Sequence, residues 1–396
     1  MKILHIVQTY VPAYRYGGTI KIVHELNKWL VKKGADVTVY TTNIDGQNDL
    51  NVPVNQAVDV DGVKVFYFKS SFPRSWFYSK YLRRALAENS KNFDIIHSTG
   101  VFLMAATLGA YYAKKFNKPF VISPRGSLMK EPLRGKSSLK KKLYVALIEK
   151  RNLRGASAVH FTAEAEKEEY LKAGFQLKKS IVIPNGLDPE EFKEKAAQGF
   201  FREKFGISSD KKIILFLSRL SWKKGLDTLI PAFAGVAKKE PDSVLVIAGG
   251  DDEGYKKEIE KQIANNKLQI GGNVIFTGMI LGKDKISAYQ DGDVFVLPSY
   301  SENFANVVIE AMYFGLPTII TEGVGIASVV KHWGAGIVIK KDIDALTDNI
   351  LKIINNPGLK KEMGEKGKRL VESEFLWPLI AKKFLEEYSA LIKNQQ

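Results

Sequence analysis

The chain has 396 residues, 45% hydrophobic and 26% charged, without a low-complexity tract; it reads as a soluble globular sequence, too long for one ordinary core and expected to form two domains. It contains no cysteine, which excludes disulfides, thiolate metal sites and a cysteine nucleophile, and no apolar run long enough to span a bilayer as a helix. The net charge of +16 is uneven: residues 1–196 hold 32 Lys/Arg and 18 Asp/Glu, or +14, and the remainder hold 27 and 25, or +2.

The opening "MKILHIVQTYVPAY" has too short an apolar run for a signal peptide and reads as a buried strand. After "YGG", Ile22, Leu26, Trp29 and Leu30 form the buried stripe of a first helix that Gly34 can end. Further strands are expected at "DVTVYTT", "VKVFYF", "DIIHS", "FVIS", "SAVHFT" and "SIVIP". Arg125 to Arg154 is the most basic stretch, with ten basic and two acidic residues. Within it "SSLKKKLYVALIEKRNLR" places Leu139, Leu143, Ala146 and Leu147 on one helical face. That face either packs on its own domain, the reading preferred here, or lies on an anionic membrane. The turn-rich "IPNGLDPEEF", Ile183–Phe192, marks a domain boundary. Beyond it, strands at "KIILFLS", "SVLVIAG", "NVIFTG", "DVFVLP", "PTIIT" and "GIVI" alternate with helices, and Ile380, Phe384, Tyr388 and Leu391 give a terminal amphipathic helix. The expectation is two doubly wound parallel-sheet units, each offering the carboxyl ends of its strands to a ligand across a shared cleft.

Two stretches carry chemistry. In "LFLSRLSWKKGLDTLI", Arg219 follows a strand, and Lys224 precedes a glycine turn and a helix; the pair forms either a phosphate site or two solvated loop charges. In "SENFANVVIEAMYFGLP", Glu302 lies in the loop after a strand and Glu310 one turn inside a helix that starts near Asn306. Glu302 alone could simply stabilise the helix start. Glu310 lies in an apolar run, where a carboxylate needs partners. A structural ion pair is one reading; a vicinal diol such as a nucleotide ribose, whose hydroxyls suit an acceptor-only carboxylate, is the preferred one. With Arg219, Lys224 and the helix-start N–H groups on the phosphates, the candidate ligand is a nucleotide diphosphate. His97, at the end of "DIIHS", is either a satisfied core histidine or a catalytic group, and Gly17–Gly18 could be an ordinary helix-start turn. Asp251 and Asp252 in "GGDDEG" lack metal-site spacing, so no metal is expected.

These motifs, with "ISPRGSL", "IPNGLD" and "GLPTIIT", run in order over nearly the whole chain and resemble the retaining glycosyltransferases of family 4. The resemblance implies the GT-B fold, two Rossmann-like domains facing each other across a cleft. The N-terminal acceptor domain would span 1–190, with 376–396 crossing back to it, and the nucleotide-sugar domain 191–375. It implies that Glu310 binds ribose, Arg219 and Lys224 hold the diphosphate, and Glu302 contacts the donor sugar. Backbone amides of Phe304 and Ala305, beside Asn303, would touch the sugar, and those near Asn306 and Val307 the phosphates. Gly17 and Gly18 would close over the phosphates, and His97 would line the acceptor side. The sequence departs from the family at Thr99, where a second histidine is frequent, and at Asn303 and Ala305, where glycine is usual.

The expected activity is metal-independent, retaining transfer of a sugar from a UDP- or GDP-linked donor to a glycan or lipid-linked acceptor in exopolysaccharide or lipopolysaccharide biosynthesis. No cofactor is expected, and the expected location is cytoplasmic, peripheral to the inner face of the plasma membrane. A nucleotide-sugar epimerase on the same fold and a basic nucleic-acid binder are the competing readings; "YGGTIK" lacks the glycine pattern of a dinucleotide site.

Overall fold

The computed structural model describes residues 1–130, 144–194, 196–265 and 271–395. The chain divides into two compact units, Met1–Gly186 with Trp377–Gln396, and Leu187–Leu376.

The first unit contains β1 (Lys2–Val7), β2 (Asp36–Thr42), β3 (Ile44–Asp45), β4 (Asn48–Asp49), β5 (Ala57–Val60), β6 (Val63–Phe68), β7 (Ile95–Thr99), β8 (Phe120–Ser123), β9 (Ala158–Phe161) and β10 (Ser180–Val182). Eight of them form one sheet in the order β10-β9-β8-β7-β1-β2-β6-β5, parallel except for β5. The parallel strands at its centre are buried along nearly their full length, so their sequences read as unbroken apolar runs rather than alternations. β3, β4 and β5 were not expected: the first two are two-residue strands, and β5 is a half-exposed edge without an apolar run to mark it.

The second unit contains β11 (Lys212–Leu217), β12 (Ser243–Ala248), β13 (Val274–Gly278), β14 (Val294–Leu297), β15 (Thr318–Thr321) and β16 (Gly336–Ile339). Its sheet is wholly parallel, in the order β13-β12-β11-β14-β15-β16. Counted within the unit this is 3-2-1-4-5-6, and the connection reverses direction between β11 and β14. A crevice opens at such a reversal because the flanking helices leave toward opposite faces.

The chain leaves the first unit after Gly186 and returns at Trp377. The outgoing and returning segments are hydrogen-bonded, the Leu187 N–H donating to the Phe375 carbonyl at 2.7 Å. The division falls at Gly186 rather than after residue 190 because the Leu187 and Phe192 side chains already belong to the second core. Gly186 accommodates the returning chain: a Cβ there would lie 2.4 Å from the Trp377 ring. The helix Trp377–Lys393 then buries Trp377, Ile380, Ala381, Phe384, Tyr388 and Leu391 in the first unit, against the helix Gly18–Lys32.

Tyr388 ends in a buried polar chain whose proton positions follow from its far end. The Ile183 carbonyl can only accept, so His160 Nε2–H donates to it at 2.9 Å. His160 Nδ1 must then accept from Ser123 (2.7 Å), Ser123 accepts from His97 Nε2–H (2.6 Å), and His97 Nδ1 accepts from the Tyr388 hydroxyl (2.6 Å). A second chain runs beside it: His5 Nδ1–H donates to Asn27 (2.7 Å), and the Thr99 hydroxyl donates to His5 Nε2 (2.9 Å). The His5 and His97 rings stack at 4.5 Å. His97 is fully buried with both ring nitrogens engaged, so the structure corrects its assignment as a catalytic or acceptor-lining group: it is a core residue. The face read from 139–147 lies mainly outside the described residues, but Leu147 is exposed, which removes its expected packing on the domain.

Burial lowers the pKa of His5 to about 4 and of His160 to about 3, and drives His97 well down, with like charge from neighbouring histidines and Arg125 adding to the effect. An unfolded histidine takes a proton near pH 6.5, which these folded ones refuse, so their contribution is complete above that pH and is lost as pH falls toward 4. Glu149 opposes this: burial raises it to about 7, so its contribution is complete below the ordinary carboxylate range and lost as pH rises through 7. Glu166, also raised by burial, acts in the same direction as Glu149, and the three histidines outweigh the two carboxylates. Urea midpoints are expected to fall from pH 7 to pH 4, and to fall more steeply in Glu149→Gln; a flat profile in both proteins would contradict the neutral histidine chain.

Candidate functional site

The site of the second unit is built where β11 and β14 deliver their carboxyl ends side by side. β11 runs into Ser218–Ser221, a single 3₁₀ turn at Trp222–Lys224, Gly225, and the helix Leu226–Lys239. Gly225 is in the left-handed region, φ 76°, and a Cβ there would lie 2.0 Å from the Pro298 carbonyl oxygen. No side chain fits, and so the β11 and β14 loops can touch. The Tyr300 N–H donates to the Lys223 carbonyl at 2.8 Å, joining them directly.

Across that junction Lys224 Nζ forms an ion pair with Glu302 Oε1, both side chains being 16% exposed. Ser299, buried, donates to the same oxygen at 3.3 Å. The Glu302 backbone is clamped as well, its N–H to the Gly323 carbonyl and its carbonyl to the Gly325 N–H, both at 2.9 Å. Arg219 is exposed in the loop after β11 and, among the described residues, its guanidinium has no ion-pair or hydrogen-bond partner.

The helix Asn306–Tyr313 starts after Ala305 and carries no side-chain cap. Its first-turn N–H groups and the positive end of its dipole therefore form an anion-attracting end. Ala305 has φ 75° and ψ 72°, the left-handed conformation that glycine adopts without penalty. Phe304 is buried against Phe375, ring centroids 5.7 Å apart, so its side chain anchors the loop and only its backbone can face a ligand.

Glu310 differs from the sequence expectation. Its helix buries Val308, Ile309, Ala311 and Met312, while Asn306, Val307 and Glu310 lie on a partly open face one turn apart. The carboxylate is thus not sunk in an apolar environment; it accepts from the Tyr289 hydroxyl at 2.8 Å and pairs with Lys285 Nζ at 2.6 Å, both at Oε2. The ion pair ranked second by the sequence argument is present in this structure. Lys285 and Tyr289 were missed by sequence reasoning. Their signal was weak, one turn apart in the helix Gly282–Asp291, with nothing local to say which element that face meets.

The structure therefore brings Lys224 and Glu302 into contact and sets Arg219, Asn303, Ala305, Asn306 and Val307 on loops and a helix start at the same sheet edge. Gly17 and Gly18 belong to the first unit, where Gly17 (φ 83°) precedes the helix Gly18–Lys32 and open space surrounds both. Asp251 accepts from the Lys256 N–H at 3.2 Å, at the start of the helix Lys256–Asn265. A lysine, an exposed arginine and an uncapped helix start can together neutralise a diphosphate, while two carboxylates accept hydroxyl protons.

Two protein families match the chain: residues 16–191 match the one described as Glycosyltransferase Family 4, and residues 197–370 the one described as Glycosyl transferases group 1. The Bacillus subtilis protein YtcC is 30% identical over 336 residues, 80% of this chain and 78% of that protein. The alpha-monoglucosyldiacylglycerol synthase of Streptococcus pneumoniae is 28% identical over 329 residues, 81% of this chain and 70% of that one. Among solved structures, Anabaena HepE in complex with UDP-glucose is similar at a TM-score of 0.75 and 22% identity, covering 98% of this chain and 100% of that one, a likeness in fold.

Replacing Ala305 by glycine should relieve the left-handed strain. Because glycine also costs unfolded-state entropy, the net gain expected is about 1 kcal/mol. A rise in the urea midpoint at unchanged slope would show it, and a fall would mean that the Ala305 methyl group contributes more through packing than the strain costs.

Proposed function

Belonging to glycosyltransferase family 4, this chain is a glycosyltransferase with the GT-B fold, and we propose that it moves a sugar from a UDP- or GDP-linked donor to a hydroxyl of a glycan or lipid-linked acceptor, with retention and without a metal. The observation that carries the reading is the Lys224–Glu302 pair at the reversal between β11 and β14, beside an uncapped helix start and the exposed Arg219. The donor class is supported by the UDP-glucose complex of HepE, and a role in glycolipid or polysaccharide synthesis by the lipid-glycosylating synthase among the relatives. Family membership disfavours both the epimerase and the nucleic-acid readings.

In the proposed reaction the bond between the anomeric carbon and the diphosphate oxygen breaks, and negative charge grows on that oxygen. Arg219, Lys224 and the helix start oppose the charge, and Glu302 holds donor-sugar hydroxyls. The departing oxygen takes the proton of the attacking hydroxyl on the same face, so that configuration is kept without a covalent intermediate. Glu310 receives the ribose hydroxyls. The first test is a thermal-shift panel of UDP, GDP and ADP with their sugars, with and without EDTA: one nucleotide series should raise the melting temperature, unchanged by chelation. In turnover, Arg219→Ala should lower kcat by roughly 10- to 100-fold with little change in KM, the loss of one charged hydrogen bond that strengthens as the bond breaks. Full activity in that variant would remove Arg219 from the mechanism.

The proposed acceptor lies at an anionic membrane surface. No helix among the described residues is long and apolar enough to cross a bilayer. Support comes from the loop after β6 and the start of the helix Lys80–Asn89, where Phe72 (92% exposed), Trp76 and Tyr81 stand among exposed Lys69, Lys80, Arg83 and Arg84. The loop is braced by Arg74, which pairs with Asp49 at 2.5 Å, and one of the four exposed cations, Arg84, is paired with Glu88 at 2.8 Å. Aromatic rings and cations together suit the interface of an anionic bilayer. The chain should sediment with phosphatidylglycerol vesicles but not with phosphatidylcholine vesicles, less at high salt, and less as the Phe72→Ser/Trp76→Ser double variant. Equal sedimentation with both lipids would end the membrane part of the proposal.

A further inference from the structure

Glu310 is surrounded by a small built structure that the reaction chemistry does not require and the fold does not explain. Tyr289 is buried, its ring stacked on Phe314 with centroids 5.6 Å apart and planes within 15°, so its hydroxyl is delivered to Glu310 Oε2 in a single position. Lys285, one turn earlier on the same helix, sets its ammonium 2.6 Å from that same oxygen. Two donors converging on one oxygen hold that oxygen in place. The ammonium is its counter-charge, and a carboxylate only accepts hydrogen bonds. A diol needs such a group, because both of its hydroxyls must donate. A mobile carboxylate would offer the wrong angle to at least one of them.

We propose that Tyr289 and Lys285 are positioning residues for donor recognition: they hold the Glu310 carboxylate in one orientation, so that it selects a ribose over a deoxyribose, and they govern donor affinity rather than the transfer step. The inference rests on the reading that Glu310 is the ribose carboxylate. The phenol remains protonated, because burial and the adjacent Glu310 charge both push its pKa well up, and so it remains a donor. The ring does not need to move when a nucleotide arrives. A lysine without this duty would gain more by reaching solvent; this one is 20% exposed.

The test measures the ratio of dissociation constants for UDP and 2′-deoxy-UDP, or for GDP and its 2′-deoxy analogue if the panel above selects guanine. The wild type should prefer the ribonucleotide by roughly 10- to 100-fold, the worth of one hydrogen bond to a charged acceptor. Tyr289→Phe, which keeps the packed ring, and Lys285→Met should each reduce the preference to about threefold or less, with kcat at saturating donor within about twofold of wild type. Lys285→Arg should restore most of it. A ratio is unaffected by simple loss of folded protein, so a variant that is merely destabilised leaves it in place. Glu310→Gln separates the two ideas. If that variant loses the preference while Tyr289→Phe and Lys285→Met keep it, the positioning role is wrong and the ribose assignment stands. If the wild type shows no preference, or Glu310→Gln retains it, the ribose assignment fails and this inference fails with it.

Discussion

Lys224 and Glu302 stand 78 positions apart in the chain and meet because β11 and β14 are neighbours in the sheet. That adjacency is the constraint on which the donor-side site depends. A parallel sheet with this strand order points every carboxyl end the same way, and the reversal leaves a gap into which two loops can lean. Gly225 then lets those loops come within contact distance. The lysine and the carboxylate neutralise each other. Each is partly buried, and leaving either alone would cost more than the pair does. Under the proposed function, the phosphates of a donor would draw the lysine and its sugar hydroxyls the carboxylate.

The two units handle charge differently. In the second, two partly open carboxylates each face a lysine, Glu302 with Lys224 and Glu310 with Lys285, while Arg219 stands exposed beside them. In the first, the sheet interior holds a chain of neutral donors and acceptors, Tyr388–His97–Ser123–His160–Ile183, in which each proton has one place to go. Such a chain fixes the terminal helix to the strand segment just before Gly186, and does so without a net charge. Among the described residues of the first unit, exposed cations stand around Phe72, where solvent and salt screen them and an anionic partner can reach them. The left-handed Ala305 belongs to the same economy of the donor-side edge: backbone strain tolerated where the loop must turn sharply into an uncapped helix.

Periodicity and composition alone were enough to mark the long parallel strands, the alternation with helices, the terminal amphipathic helix and the turn near Ile183, because a strand buried on both faces has to be apolar throughout. The residue types at the strand ends, Arg219, Lys224 and Glu302, were legible for a related reason: parallel sheets present ligands only at that edge. Tertiary structure decided what each side chain meets. It buried His97 between β1 and β8, paired Glu310 with Lys285 and Tyr289, exposed Leu147, and placed the division at Gly186. None of this is local information. Burial and pairing follow from which strands and helices become neighbours, and that choice is made by the packing of the whole sheet.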